Sequence, residues 1–542
     1  MTNVSLTITP EQARKAVNVE DTAAVNKVMN DEITDGDNSI LFEIPVKRVD
    51  FNNSLLKQAL DKAGIEGVTV VCKLTVNDEN TKFFISKIKD FFGDTLQELD
   101  LTNTLMEKIS FCDLYECIGL TSIKLPRSVK EICTHGLNKN FRGKFITSID
   151  VHPENTVFSS QDGVLFNKEK TQLIYCPRGK QGEYVIPNTV KDFKRNAFGG
   201  CTGLTSIIIP DSVEKIAQST FIGCTGLTSI VIPDSVVEMG SAVFKECTGL
   251  KSVIFSKSLD KIHGFSECTG LSSINISGKE GFVIPDTVKE IESRAFAYCT
   301  GLLSVVLPDS VKAIRRGAFN CCTGLAYVYI PASVCEIDEY AFSGCTALSN
   351  ITVHPDNPFF TSENGNLYNK DKTVLLKYYQ AQPGEMNIPE TITVIGDGAV
   401  RNCVAVTSAV LPNSVKEIKH GAFSGCSGLT TVVVPDSVTE IGSFAFSDCT
   451  SLTSIILPAS LTMIGNWLFS DCSALTSIII PETVTHIGED AFRGCTALTS
   501  VHIPASIECI DAYVFYGCPA VITVHPDNPA FKIENGELVE KL

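Results

Sequence analysis

Cys201-Thr202-Gly203-Leu204-Thr205-Ser206-Ile207-Ile208-Ile209-Pro210-Asp211-Ser212-Val213-Glu214-Lys215-Ile216-Ala217-Gln218-Ser219-Thr220-Phe221-Ile222-Gly223 runs directly into Cys224, where the same order of residue types begins again. The 23-residue period decides the fold: it separates Cys201, Cys224 and Cys247, then Cys299, Cys322 and Cys345, then the six cysteines from Cys403 to Cys518. Leu204, Ile207 and Ile209 share a phase, and the last two alternate about Ile208 as a short strand with one buried face requires. Pro210 has no N–H for a ladder and stops the strand. Val213, Ile216 and Phe221 mark a return path, read as a turn or short helical stretch on the opposite side. Phe stands three residues before the cysteine in twelve units, from Phe198 to Phe515, with Val400 as the exception. One unit cannot bury these faces alone, but a stack can. The expectation is a repeat solenoid with one parallel strand per repeat. At about 4.8 Å per strand, about seventeen units span on the order of 80 Å.

The period is broken in informative places. Cys247 to Cys268 is 21 residues, Cys268 to Cys299 is 31, and Cys345 to Cys403 is 58. Cys117 opens an earlier, divergent unit, and Leu96, Leu99 and Leu101 read as a degenerate one before it. A second module interrupts the stack near 151–186 and 353–388. It runs from Val151-His152-Pro153-Glu154-Asn155 through Asp162-Gly163, and from Val353-His354-Pro355-Asp356-Asn357 through Asn364-Gly365. Asp-Gly and Asn-Gly are hairpin-turn dipeptides, so each insertion reads as a small β-hairpin projecting from the stack. A partial third copy at 524–542 starts at Val524-His525-Pro526-Asp527-Asn528 and reads as a cap or a truncated module. Residues 1–92 do not repeat and read as a small α/β cap or domain. Its helix candidates open at Thr9-Pro10 and at Asn53, and its strand candidates are Ile40–Ile44 and Val68–Cys72.

The composition excludes several classes. With 44% hydrophobic residues in 542, the chain is too apolar for disorder. No uncharged apolar run reaches the roughly 18–20 residues of a membrane helix, so no membrane insertion is expected. A net charge of −17 argues against nucleic acid, whose binders need basic patches.

The pattern Cys-x-x-Leu-x-x-Ile-x-Ile-Pro-x-Ser-Val-x-x-Ile-Gly-x-x-Ala-Phe resembles the BspA-like leucine-rich repeat family over about residues 93–530. Ile441-Gly442-Ser443-Phe444-Ala445-Phe446 and Ile487-Gly488-Glu489-Asp490-Ala491-Phe492 carry its second half. The expected fold is thus a leucine-rich-repeat solenoid over 93–542, a right-handed α/β-type horseshoe or arc with hairpin insertions. The resemblance implies a surface or secreted protein with a binding or adhesion role toward host, matrix or cell-surface proteins. Met1-Thr2-Asn3-Val4-Ser5-Leu6 lacks the basic segment and apolar core of an export signal, which makes a cytoplasmic scaffold or effector the alternative.

Fourteen of the 21 cysteines fall at the repeat phase. A disulfide or metal ladder is one reading; a column of small apolar core residues is the favoured one. No Cys-x-x-Cys occurs, so no metal site is expected. The recurring His152, His354 and His525 read as turn chemistry. No phosphate loop, HExxH or GxSxG is present, no catalytic set is nominated and no cofactor is expected; a small activity within 1–92 is the least favoured reading. The informative surface is the strand face. Its outward residues are Ile208, Val231, Ile254, Val306, Tyr329, Thr352, Val410, Val433, Ile456, Ile479 and His502, with Tyr327 beside Tyr329. Such a strip reads either as a protein contact site or as the β-propensity of Val, Ile and Thr alone, and its Thr-Ser rows leave carbohydrate open. Tyr327 and Tyr329 are its strongest single spot, since Tyr is enriched in binding hot spots.

Overall fold

The structure, a computed structural model, describes residues 96–111, 119–133, 146–275, 282–338, 340–379 and 383–541, with the strands Ser5–Thr7, Ser39–Val46 and Thr69–Val76. The helix candidates at Thr9 and Asn53 lie outside the described residues. The chain forms two compact units, Met1–Leu250 and Lys251–Leu542.

A regular turn of the solenoid is built from one short strand, a proline turn, a return strand of two residues in most turns and a second turn. The stretch quoted above shows why. Leu204, Ile207, Ile209, Val213, Ile216, Phe221 and Cys224 are all buried, so the seven apolar marks of the period form the core. At the corner, Val213 N–H donates to the Pro210 carbonyl at 3.1 Å, closing a four-residue turn. The Ser212 hydroxyl then reaches the Val190 carbonyl of the preceding turn at 2.6 Å. Ser235, Ser333 and Ser437 do the same, each at 2.7 Å.

The return path contains no helix among the described residues; it is strand and turn. Lys215–Ile216 pairs in parallel with Glu238–Met239, and Lys261–Ile262 with Glu290–Ile291. Beyond it, Phe221 N–H bonds the Val243 carbonyl of the next turn rather than a carbonyl four residues back. Between the return strand and the Phe, one residue per turn adopts a left-handed backbone, which a helix does not allow. Asn196, Ser219 and Ala242 hold this place in the first unit, and Tyr340, Phe444, Trp467 and Tyr513 in the second, at φ of 55–61°.

The phenylalanines stack into a continuous row within each run of regular repeats. Ring centroids are 5.1 Å apart for Phe198–Phe221 and 5.3 Å for Phe221–Phe244 in the first unit. In the second, Phe423, Phe446, Phe469, Phe492 and Phe515 follow at 5.3–5.8 Å.

The irregular spacings have structural counterparts. The longer interval between Cys268 and Cys299 admits an extra strand, Phe282–Val283, which pairs with Ser273–Asn275 and with Ser252–Ile254. In the amino-terminal segment, Ser5–Thr7, Ser39–Val46 and Thr69–Val76 run parallel, and the last pairs with Leu96–Asp100.

The inserted modules do not project from the stack. In the first, Phe158–Gln161, Val164–Asn167 and Gln172–Tyr175 form an antiparallel meander whose third strand pairs in parallel with the return strand Asp192–Phe193. The second repeats this with Phe360–Glu363, Asn366–Asn369, Val374–Lys377 and Val394–Ile395. Burial of Leu165, Phe166, Leu367 and Tyr368 explains the difference: these side chains belong to the core, so the hairpin is folded into it. At the carboxy-terminal copy, Phe531–Glu534 pairs antiparallel with Glu537–Glu540.

Candidate binding surface

Successive strands align outward residues by register. In the second unit, Val410 pairs with Val433 and Val433 with Ile456. One step back, Ser408 aligns with Thr431 and Thr431 with Ser454, and Ser477 bridges to Ser500. The face thus carries two adjacent columns, one of hydroxyls and one of β-branched apolar residues. Ile456 is 70% exposed and Ile479 81%, with Val410 and Val433 also exposed. At the far end His502 accompanies them, its Nδ1 3.0 Å from the Thr523 hydroxyl.

The column is interrupted where the sequence made it nearly continuous. The second module folds against the strand Asn350–Val353, with Ile351 N–H on the Gly365 carbonyl and Val353 N–H on the Ser362 hydroxyl. Val306, Tyr329 and Thr352, aligned in register, and Tyr327, aligned with Asn350, are half-buried. Burial, with Asp309 nearby, pushes the Tyr329 hydroxyl pKa up. Ile254, also of the second unit, is exposed. In the first unit Ile208 and Val231 are exposed, and Val185, paired with Ile208, extends them. Val185 was missed, although Val185-Ile186-Pro187 carries the strand-ending signal.

The Thr rows are partly committed to the scaffold. The hydroxyls of Thr430, Thr453 and Thr476 donate to the carbonyls of Thr407, Thr430 and Thr453 at 2.8, 3.1 and 3.2 Å.

The core cysteines carry a defined bond rather than a disulfide. Cys224 and Cys247 donate to the carbonyls of Phe198 and Phe221 at 3.1 Å, and Cys449 and Cys472 to those of Phe423 and Phe446 at 3.2 and 3.1 Å. Burial pushes the thiol pKa of Cys247, Cys299 and Cys495 up to about 12. No disulfide joins the cysteines among the described residues.

The three His-Pro motifs act alike. The Nδ1 atoms of His152, His354 and His525 accept the N–H of Glu154, Asp356 and Asp527 at 3.1–3.2 Å. The following Asn is fully buried and does more. Asn357 donates to the carbonyls of Pro331 and Val334 and accepts the N–H of Phe359 and Phe360, all at 2.8–2.9 Å.

Two further features escaped the sequence. Trp467 stacks on Phe444 at 5.6 Å, and the Arg493 guanidinium lies 5.3 Å from the ring centres of both Trp467 and Tyr516. The signal was a shared phase, since 444 and 467 are 23 apart. By the same phase His486 and Cys509 meet on adjacent return strands, with Asp511 beside them; no metal site was expected there. A cleft of about 370 Å³ lies beside the second module, lined by Tyr340, Ser343, Leu376, Lys377 and Asp397. No helix among the described residues is long and apolar enough to cross a membrane.

The family described as BspA type leucine rich repeat region (6 copies) matches residues 87–179, 175–281, 279–370 and 378–524. Among solved structures, the chain resembles a leucine rich cell surface protein from Faecalibacterium prausnitzii at 29% identity and a TM-score of 0.50, over 68% of this chain and 94% of that one. Leucine-rich repeat proteins from Eubacterium ventriosum and Bacteroides ovatus are 20% and 27% identical, with TM-scores of 0.46 and 0.37. They match over 70% and 67% of this chain and 92% and 83% of theirs. No curated protein matches the chain significantly.

Proposed function

The chain belongs to the BspA-type leucine-rich repeat family, and from that premise we propose that it is a non-catalytic, protein-binding adhesion scaffold of the cell surface. The observation that carries this reading is the exposed column Val410, Val433 and Ile456, held in register on a hydrogen-bonded ladder, with the equally exposed Ile479 in the next repeat. Apolar side chains this open to water, aligned on a rigid surface, favour burial against a partner. Placement at the cell surface is supported by the description of the 29%-identical Faecalibacterium protein. The half-burial of Tyr327 and Tyr329 moves the centre of the contact from them to Ile456 and Ile479. Protein is favoured over carbohydrate because the hydroxyls of Thr453 and Thr476, next to the hydroxyl column, spend their donors on the ladder.

The test is capture of full-length protein on surfaces coated with the matrix proteins fibronectin or laminin. Ile456→Glu with Ile479→Glu is expected to abolish capture at unchanged thermal stability; undiminished capture refutes the assignment. Antibody labelling of intact cells, with and without external protease, tests the location. A second reading, an intracellular scaffold, is favoured by the many described cysteines outside any disulfide, and signal only after permeabilisation selects it.

A further inference from the structure

The return strands carry an outward row of their own. On some turns that row carries opposite charges, Lys215 with Glu238 at 2.7 Å in the first unit and Lys261 with Glu290 at 3.2 Å in the second, and on others it carries Ala313, Val394 or the aligned Glu417 and Glu440. Toward the carboxy terminus its chemistry changes. Met463 pairs in register with His486, and His486 with Cys509. A thioether, an imidazole and a thiol thus succeed one another in this row. Asp511 lies two residues beyond Cys509, its backbone fixed by a 2.9 Å bond to the Ile487 carbonyl.

The donor atoms converge. His486 Nε2 is 3.0 Å from one Asp511 oxygen, and Cys509 Sγ is 3.8 Å from the other. One ligand atom from each of the three residues lies within 4.8 Å of the others. An imidazole–carboxylate ion pair alone does not need the thiol. We propose that His486, Cys509 and Asp511 form a binding site for a zinc-class divalent cation. Nitrogen, thiolate and carboxylate ligands together suit Zn²⁺, whereas Mg²⁺ and Ca²⁺ take oxygen sets. Three ligands leave a fourth position for water. Binding releases the Cys509 proton to solvent and leaves a thiolate on the metal. The ion joins two successive turns, so it stabilises this end of the stack by mass action.

The probe is Co²⁺, titrated into reduced, chelator-treated full-length protein and then displaced with Zn²⁺. The expected result is a thiolate-to-cobalt charge-transfer band that saturates at one ion per chain. Zn²⁺ should remove it, and Ca²⁺ should not. Cys509→Ser and His486→Ala are each expected to abolish the band, and Cys335→Ser, at another exposed thiol, to leave it intact. Absence of the band in the wild type, its survival in both site variants, or displacement by Ca²⁺ overturns the proposal. A readout independent of any variant is alkylation of the wild type followed by peptide mapping. Zn²⁺ should protect Cys509 and not Cys335, and equal rates overturn the site.

Discussion

At the level of single residues, the thiols and the buried asparagines of this protein do the work of backbone satisfaction. Cys449 is fully buried, and its Sγ–H is on the Phe423 carbonyl at 3.2 Å. Cys449→Ala removes that donor and leaves a small void, so a loss of about 1–3 kcal/mol is expected. Chemical denaturation measures it, and a variant as stable as the wild type would show that the bond contributes nothing. Asn357 ties the turn of its own module to two carbonyls of the preceding repeat. Asn357→Ala strands those carbonyls and two N–H groups, and about 3 kcal/mol should be lost. His354→Ala removes one bond at a half-exposed turn and should shift stability by less than about 1 kcal/mol. The sequence made the motif legible as a turn. It did not reveal that the Asn rather than the His anchors it, because the receiving carbonyls lie 26 and 23 residues upstream.

At the level of elements, the strand row and the return row differ in how well they were legible. Alternation about Pro-terminated triplets identified Ile208, Val231, Val433, Ile456 and Ile479 as outward, and they are exposed. It overstated Tyr329, which is half-buried in register between Val306 and Thr352. The return path was open between turn and helix. Its outcome follows from backbone bonding: the Phe N–H groups are committed to the next turn, so no helix can claim them. The two rows predict opposite responses to mutation. Ile479→Glu faces solvent and should change unfolding free energy by no more than about 0.5 kcal/mol. Phe446 is fully buried between Phe423 and Phe469, and Phe446→Ala should cost about 3–5 kcal/mol. Urea unfolding of the two variants side by side checks the contrast, and similar losses from both would place the core on the wrong face.

At the level of the whole molecule, repetition turns a modest residue property into a dominant one. An unfolded thiol ionises near pH 8.5. Burial raises the folded pKa of Cys247, Cys299 and Cys495 to about 12, and it holds those of Cys224, Cys449 and Cys472 well above the ordinary value. Because the folded pKa is the raised one, the unfolded chain releases protons first. The contribution of each thiol is therefore fully present below about pH 8.5 and is lost as pH climbs toward about 12. Within that window each of these thiols removes about 1.4 kcal/mol per pH unit. In a solenoid, stability is a sum over units and their interfaces, so these losses accumulate along the stack. The net charge of −17 grows more negative over the same range and adds self-repulsion. The urea midpoint should therefore be flat from about pH 6 to 8 and fall steeply above about pH 9. Replacing Cys426, Cys449 and Cys472 together with Ala should lower the midpoint at neutral pH yet flatten its alkaline slope. A triple variant with the wild-type slope would mean that deprotonation elsewhere, such as at the tyrosines, unfolds the protein.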